Sequence, residues 1–165
     1  MALEIRTFGD PVLKSRAAPV REFDESLARL AEEMLATMRE NDGVGLAANQ
    51  IGRLKRLLVA SPEEDEEYVI VNPQIVERSA ETERSPEGCL SIPGINVEVE
   101  RSVALKVTGQ DVTGEPLALE ATGLLARVLQ HEIDHLDGIL ILDRTDRESR
   151  KVAMREMRER MLAQS

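Results

Sequence analysis

The chain has 165 residues, and its 31 acidic and 21 basic side chains give a formal charge of −10. This length suits one domain over residues 1–165, and the acidic balance argues against a DNA partner. The apolar runs are too short for a membrane helix, no secretory signal opens the chain, and a lone cysteine, Cys89, cannot form an internal disulfide. We therefore expect a cytoplasmic protein with no DNA and no membrane partner.

Helical periodicity predicts a first helix over 23–40, with Asp24 as its cap. The acidic run 63–67 is typical of a solvated loop. Short strands are predicted at 56–60, 68–72, 74–79, 96–101, 102–108 and 116–119. Two more helices are predicted, over 121–136 and over 147–162 within the C-terminal segment 146–163. Because helices do not regularly separate the strands, we expect an α+β fold. Mainly antiparallel sheets should wrap around the central helix, with an N-terminal and a C-terminal helix outside them.

Both histidines of the chain, His131 and His135, lie four residues apart on the second predicted helix, with Glu132 between them. Residues four apart differ by about 40° around a helix, so both imidazoles leave the same face. Glu132 lies near that face, which completes the H-E-x-x-H pattern of two metal ligands and one general base. The alternative is a pair of partly buried histidines on an amphipathic helix, and the glutamate between them disfavours it.

A third ligand has to come from another part of the chain, and no histidine follows the motif. Cys89 precedes it, in the stretch 87–91. A thiolate binds iron and zinc strongly, and one cysteine with two histidines leaves a fourth position for water. Taken alone, Cys89 is a small buried hydrophobic residue. The glycine-rich stretch 43–50 allows a close backbone approach to a ligand, and taken alone it is a tight turn.

Three stretches together resemble the motifs of the peptide deformylase family, in the family's order: 43–50, 87–91 and 130–135. Further similar segments are 9–13, 91–94, 123–127 and 136–138, and the last helix resembles that of bacterial members with a C-terminal helix. Asn49, Asn96 and Ile141 depart from the common pattern. Only Asn96, where some members place a substrate-contacting arginine, bears on function, because it weakens the expected peptide contacts.

The resemblance implies that Cys89, His131 and His135 bind one divalent metal, with water as the fourth ligand. Fe²⁺ is the ion expected in the cell, and Zn²⁺, Ni²⁺ or Co²⁺ are alternatives. The implied reaction is hydrolysis of an N-formylmethionyl nascent peptide with release of formate. In it the metal-bound water attacks the formyl carbon, and Glu132 acts as general base and then as general acid.

The implied oxyanion donors are the side-chain amide of Gln50 and the backbone N–H of Leu90. Gly45 is expected to admit the peptide backbone and to keep the formyl site narrow. Helical spacing puts two apolar residues on the histidine face, where they would join a third in a methionine pocket; the three are Leu124, Val128 and Val44. For the two helical members, an ordinary core position is the alternative.

Glu87 and Arg101 are predicted to form a buried ion pair that fixes the loop carrying Cys89, and Asp134 is interpreted as structural rather than catalytic. The C-terminal helix combines an arginine-rich face with a methionine stripe at Met154, Met157 and Met161. The pattern predicts a helix that docks by its methionines and has a solvated charged face. The alternative, which the resemblance implies, is that the arginine face contacts ribosomal RNA near the nascent-chain exit. We expect a monomer.

Two other functions stay open at this point. The H-E-x-x-H pattern alone also suggests a zinc endopeptidase, which the upstream cysteine and the absence of a downstream histidine disfavour. A non-catalytic, metal-stabilised binding protein is the other alternative, and in that protein Glu132 would be dispensable.

Overall fold

The computed structural model describes residues 3–164. The strands are β1 (Gly45–Ala47), β2 (Leu57–Ala60), β3 (Tyr68–Arg78), β4 (Thr82–Cys89), β5 (Ile92–Ser102), β6 (Ala104–Gln110) and β7 (Pro116–Thr122). The helices are α1 (Glu25–Glu40), α2 (Gly123–Leu136), α3 (Ile141–Arg144) and α4 (Arg147–Gln164). Short 3₁₀ turns lie at Pro11–Lys14 and Ala48–Ile51.

Two antiparallel sheets contact the central helix α2. The larger sheet has the strand order β1-β2-β3-β6-β7, and β4 pairs with β5 in a two-stranded sheet. Helix α2 contacts β1, β2, β6 and β7 of the larger sheet and β5 of the smaller one. The predicted α+β class, with antiparallel sheets around a central helix, is therefore confirmed.

Three clusters of buried apolar side chains hold these layers together. Leu129 and Leu136 of α2 are buried against the larger sheet. Met34 and Met38 of α1 are fully buried in a second cluster that includes residues of β1, β2 and β3. The third cluster joins α3 and α4 to β5. Both sheets thus have their own apolar contacts, and the chemistry-bearing residues of α2 lie on a firmly packed helix.

The first helix is capped as the sequence predicts. The Asp24 carboxylate accepts a hydrogen bond of 3.0 Å from the Leu27 N–H, which satisfies one of the unpaired donors of the first turn. The helix begins at Glu25 rather than at residue 23, because Asp24 itself has an extended backbone. The acidic run 63–67 is exposed between β2 and β3, as predicted for a solvated loop.

Several strand boundaries were predicted wrongly. The segments 68–72 and 74–79 form one strand, β3, which crosses Pro73 through a register shift beside Asn72, whose φ is +52°. The segments 96–101 and 102–108 are separated at Val103, and β5 begins four residues earlier than predicted. Strands β1 and β4 and helix α3 were not predicted. They are short or polar, and their sequences lack the alternation that marks a half-buried strand.

Both of the later helices differ in detail from their predictions. Helix α2 begins at Gly123 instead of at residue 121, because Ala121 and Thr122 still pair with β6. In α4, Met154 and Met157 pack against the β5 cluster, but Met161 is 72% exposed. The methionine stripe therefore docks only the first part of this helix. Within residues 3–164, no helix combines the length and apolar character needed to cross a membrane.

Candidate metal centre

Helix α2 and the end of β4 bring the three predicted ligands together. Cys89 is the last residue of β4, and His131 and His135 project from one face of α2. Their ligand atoms all lie within 4.8 Å of one another, and the Cys89 Sγ is 3.3 Å from the His135 Nε2. One thiol and two imidazoles at this separation form a donor set that fits a tetrahedral divalent ion with one open position.

The two imidazoles differ in their protonation. The His131 Nδ1 lies 2.9 Å from a Glu87 carboxylate oxygen and donates its N–H to it, so Nε2 is the nitrogen that faces the other ligands. Burial lowers the pKa of His131, but the Glu132 carboxylate and the contacts with Cys89 and Glu87 outweigh it and raise the pKa well above its ordinary value. A metal that binds Nε2 therefore displaces a proton. Burial lowers the pKa of His135 well below its ordinary value, so its imidazole is neutral. The His135 Nδ1 is buried without a hydrogen-bond partner in the described structure.

Glu87 lies behind His131 in a dense set of cationic contacts. Its carboxylate accepts two hydrogen bonds of 2.9 Å from Arg101 and one of 2.5 Å from Arg127. Burial alone would raise the pKa of Glu87, but hydrogen bonds from His131 and Arg101 outweigh it and lower the pKa to about 2. The predicted ion pair between Glu87 and Arg101 is therefore confirmed.

The same network continues to Asp134 on the next turn of α2. Asp134 accepts a hydrogen bond of 2.6 Å from Arg101 and two more from Arg144 of α3, at 3.0 and 2.9 Å. Its carboxylate is occupied by these two guanidinium groups. This arrangement agrees with the interpretation of Asp134 as a structural residue.

Glu132 is buried on the open side of the site and has far fewer contacts. One carboxylate oxygen lies 4.0 Å from the His131 Nε2, and the other is buried without a hydrogen-bond partner in the described structure. Burial raises the pKa of Glu132 to about 7. A carboxylate with this pKa can accept a proton and return it near neutral pH.

The absence of a side chain at Gly45 makes room for the Glu132 carboxylate between β1 and α2. A Cβ atom at Gly45 would lie 2.6 Å from a Glu132 carboxylate oxygen and 2.8 Å from a methyl group of Val128. Only glycine lets β1 run this close to α2. Gly45 also lines the cavity beside the ligands, and its expected role in admitting the peptide backbone and narrowing the formyl site stays a prediction.

Gln50 and Leu90 also lie at the site. The Gln50 Oε1 accepts a hydrogen bond of 2.9 Å from the Ala47 N–H, and its Nε2 lies 3.1 Å from the Ser91 Oγ and 3.5 Å from the Cys89 Sγ. Its amide is thus fixed beside the thiol with the N–H₂ group toward the ligands. Leu90 lines the same cavity.

A cavity of about 540 Å³ opens onto Cys89, His131 and Glu132. The three predicted pocket residues all line it, with Val44 and Leu124 about half exposed and Val128 buried. Leu124 is therefore not an ordinary core residue. The remaining lining includes Pro93 and Gly94 of β5.

The chain is similar to known proteins over most of its length. The family model described as polypeptide deformylase matches residues 2–151. A peptide deformylase of Thermotoga neapolitana is 52% identical over 140 residues, which cover 85% of each chain. Peptide deformylase 1 of Corynebacterium efficiens is 49% identical over 92% of this chain and 91% of its own length.

The chain belongs to the polypeptide deformylase family.

Solved structures of this family have the same fold. The peptide deformylase of Thermus thermophilus superposes with a TM-score of 0.91 at 44% identity, over 99% of this chain and 97% of that one. The enzyme of Thermotoga maritima gives a TM-score of 0.86 at 49% identity, over 88% of this chain and 99% of that one. The Thermus comparison covers nearly the whole chain, whereas the family model ends inside α4.

Deformylases are metal-dependent hydrolases that remove the formyl group from nascent peptides, and the Cys/His/His group agrees with a divalent metal site. The protein is accordingly an enzyme of protein biosynthesis. Membership in this family favours deformylation over the endopeptidase and the non-catalytic binding protein.

Sequence reasoning missed three residues that support the site: Ser91, Arg127 and Arg144. Arg127 precedes His131 by four residues, so helical spacing alone puts it one turn away on the same face. That spacing was a usable signal for a charged neighbour of the ligand. Ser91 and Arg144 carry no such signal, because their contacts depend on how β5 and α3 fold back on α2.

Proposed function

We propose that Cys89, His131 and His135 hold the divalent ion and that Glu132 carries the protons of deformylation. The observation that supports this most strongly is the position of Glu132. It is a buried carboxylate with an unpaired oxygen, next to the only Cys/His/His group found among residues 3–164. Residues 1–165 act in this proposal as one catalytic domain on an N-formylmethionyl peptide.

The bound ion supplies a Lewis acid for the formyl oxygen and lowers the pKa of water, so that a nucleophile is available near neutral pH. Fe²⁺ is the proposed ion in the cell, and Zn²⁺, Ni²⁺ and Co²⁺ are the proposed substitutes. A thiolate and neutral imidazoles are ligands that suit all four ions.

Glu132 takes the proton of the attacking water at its carboxylate and later donates it to the leaving amine. Its raised pKa matches both halves of this task. Its neighbours support the assignment, because Arg101 and Arg127 are bound to Glu87 and no arginine or lysine is paired with Glu132 among the ion pairs of the described residues.

The oxyanion that develops on the formyl group accepts hydrogen bonds from the Gln50 amide and the Leu90 N–H. The Ala47 N–H holds the Gln50 carbonyl oxygen, so the amide presents its N–H₂ group with little reorganisation. Preorganised donors of this kind contribute about 10²–10³ each to the rate.

Three apolar residues form the proposed methionine pocket: Val44, Leu124 and Val128. Two of them are half exposed along a cavity that ends at the ligands, which agrees with a binding wall. The protein is proposed to act as a cytoplasmic monomer. The proposed ribosome interaction is a contact between ribosomal RNA and the arginine-rich face of α4. Met161 is exposed, so the end of this helix is not covered by the rest of the protein and is accessible to a partner.

Formate release from formyl-Met-Ala-Ser tests the proposal. The protein is purified without oxygen, loaded with Fe²⁺ or Ni²⁺, and compared with Glu132→Ala and with the unformylated peptide. We expect rapid formate release that needs both the metal and Glu132. Full metal binding without formate would contradict deformylation and favour a binding protein. Cleavage inside the unformylated peptide would instead favour an endopeptidase.

A further inference from the structure

A second cavity of about 580 Å³ lies outside the metal centre, between β3, the end of α2 and the segment before α1. Its charged lining consists of three arginines, Arg16, Arg56 and Arg78, and one aspartate, Asp137. The cavity therefore carries a local charge of about +2 on a chain whose formal charge is −10. We call it the arginine cleft.

One of the three arginines, Arg56, is held by hydrogen bonds to the residues that form the cleft. Arg56 donates hydrogen bonds of 3.3 and 3.1 Å to the carbonyls of Ala17 and Leu136, and it forms an ion pair of 2.9 Å with Asp137. The single carboxylate of the arginine cleft is thus already neutralised. It does not compete for the other two guanidinium groups.

Arg16 and Arg78 are the available cations. Arg78 donates one hydrogen bond of 3.4 Å, to Gln130, and that glutamine is itself fixed by the backbone of Ser102 and Ala126. Arg16 has no ion pair and no side-chain hydrogen bond within residues 3–164. Two exposed guanidinium groups without a carboxylate partner therefore line one cleft.

The rest of the lining is mostly apolar. Pro19, Pro73, Ile75 and Ile133 supply it, and Ile133 is buried on α2. A volume of this size falls within the range of about 300–1,000 Å³ for small-molecule sites, which combine apolar walls with a few placed polar groups. Guanidinium groups bind phosphate with two parallel hydrogen bonds, a geometry that the lysine ammonium does not offer.

We propose that the arginine cleft binds a phosphorylated small molecule of nucleotide size, with its phosphates on Arg16 and Arg78 and its uncharged part on the apolar wall. The cavity that opens onto the metal ligands shares no lining residue with the arginine cleft. The site is therefore separate from the deformylation reaction.

Isothermal titration of the metal-loaded enzyme with ADP, and with pyrophosphate as competitor, tests this proposal. The double variant Arg16→Ala/Arg78→Ala should weaken ADP binding at least about tenfold, because charge-assisted hydrogen bonds are lost. The matched control Arg29→Ala/Arg39→Ala removes two arginines of α1 that lie outside the cleft and should leave the affinity unchanged. Arg56 is left intact because it supports the fold.

A second variant keeps the test decisive if the double arginine variant fails to fold. Gln74 is exposed at the rim of the arginine cleft, and Gln74→Glu adds a carboxylate there without shortening the side chain. This variant should also weaken ADP binding, by repulsion. Equal ADP affinity in all variants, or no binding of either probe at millimolar concentration, would overturn the proposal. Competition between ADP and formyl-Met-Ala-Ser would also overturn it, since the probe would then be bound at the metal.

Discussion

Two buried glutamates flank the metal ligands, and their surroundings shift their pKa values in opposite directions. Glu87, on β4, binds Arg101, Arg127 and His131, and these contacts lower its pKa to about 2. Glu132, on α2, has an unpaired oxygen, and burial raises its pKa to about 7. The same side chain is therefore a fixed anion on one side of His131, and on the other side it is the proposed proton acceptor. The supply of cationic partners, rather than burial, makes the difference.

The largest expected effect is on turnover when the proton acceptor is removed. Glu132→Gln keeps the shape of the side chain but cannot accept a proton, so kcat/KM for formyl-Met-Ala-Ser should fall about 10²–10⁴-fold. Metal content should stay at the wild-type level. The exposed Glu120→Gln is the matched control and should keep full activity. Wild-type turnover in Glu132→Gln would remove the proposed role.

The next effect is on stability and metal affinity when the fixed anion is removed. Glu87→Gln leaves Arg127 without a counter-charge and leaves Arg101 with Asp134 as its only carboxylate partner. Breaking a buried pair of this kind costs about 3–5 kcal/mol of unfolding free energy. Metal affinity should also fall about 10–100-fold, because His131 loses the acceptor that orients its ring. Urea unfolding and metal titration measure the two losses. An unchanged metal affinity would contradict the orienting role.

The pH dependence of stability should separate the two carboxylates in metal-free protein. The lowered pKa of Glu87 stabilises the fold above about pH 4.5, and this contribution is lost as the pH falls toward 2. The raised pKa of Glu132 acts in the opposite sense. Its contribution is complete below about pH 4.5 and is lost as the pH rises through 7, by roughly 3 kcal/mol.

Urea unfolding between pH 4 and 8 checks the second contribution. Metal-free Glu132→Gln should match the wild type near pH 4 and become the more stable protein by pH 8. Parallel stability curves for the two proteins would show that the Glu132 carboxylate ionises at its ordinary pKa.

The smallest change in unfolding free energy is expected when an ion pair between arginine and a carboxylate is exposed to solvent. Arg84 and Asp146 form an ion pair of 2.9 Å with about half of each side chain accessible. Arg84→Gln should change the unfolding free energy by no more than about 1 kcal/mol and leave formate release unchanged, because solvent screens the pair. A loss as large as that of Glu87→Gln would mean that burial is not what gives the Glu87 network its importance.

Much of the site could be predicted because its chemistry is concentrated in short motifs. His131, Glu132 and His135 lie within one helical turn and a half, so spacing alone predicts their common face. Cys89 was a candidate ligand on chemistry alone, and the resemblance to a family was needed to choose it over a buried hydrophobic residue. Gln50 needed the resemblance outright, because no local pattern brings the 3₁₀ turn at Ala48–Ile51 to α2. The Glu87–Arg101 pair was correctly predicted, yet its extension to Arg127 and Arg144 was not.

The fold was predicted best where periodicity is strong. The helices α1 and α2 and the overall class were correct, although both helices were predicted to begin two residues too early. For α2 the reason is that Ala121 and Thr122 still belong to β7. Strand β4 was missed since its sequence is mostly polar, and it becomes a strand only by pairing with β5. The packing of Gly45 against α2 was missed for a similar reason. The atoms that require glycine belong to Val128 and Glu132 of α2, 83 and 87 positions away.

The most direct measurement is formate release per bound metal in the two isosteric variants, Glu132→Gln and Glu87→Gln, with bound metal determined in the same samples. We predict that Glu132→Gln binds metal fully and releases almost no formate. Glu87→Gln should lose metal but retain near wild-type turnover for each ion that stays bound. The reverse pattern, with metal lost from Glu132→Gln and turnover per metal abolished in Glu87→Gln, would contradict the division of roles between the two glutamates.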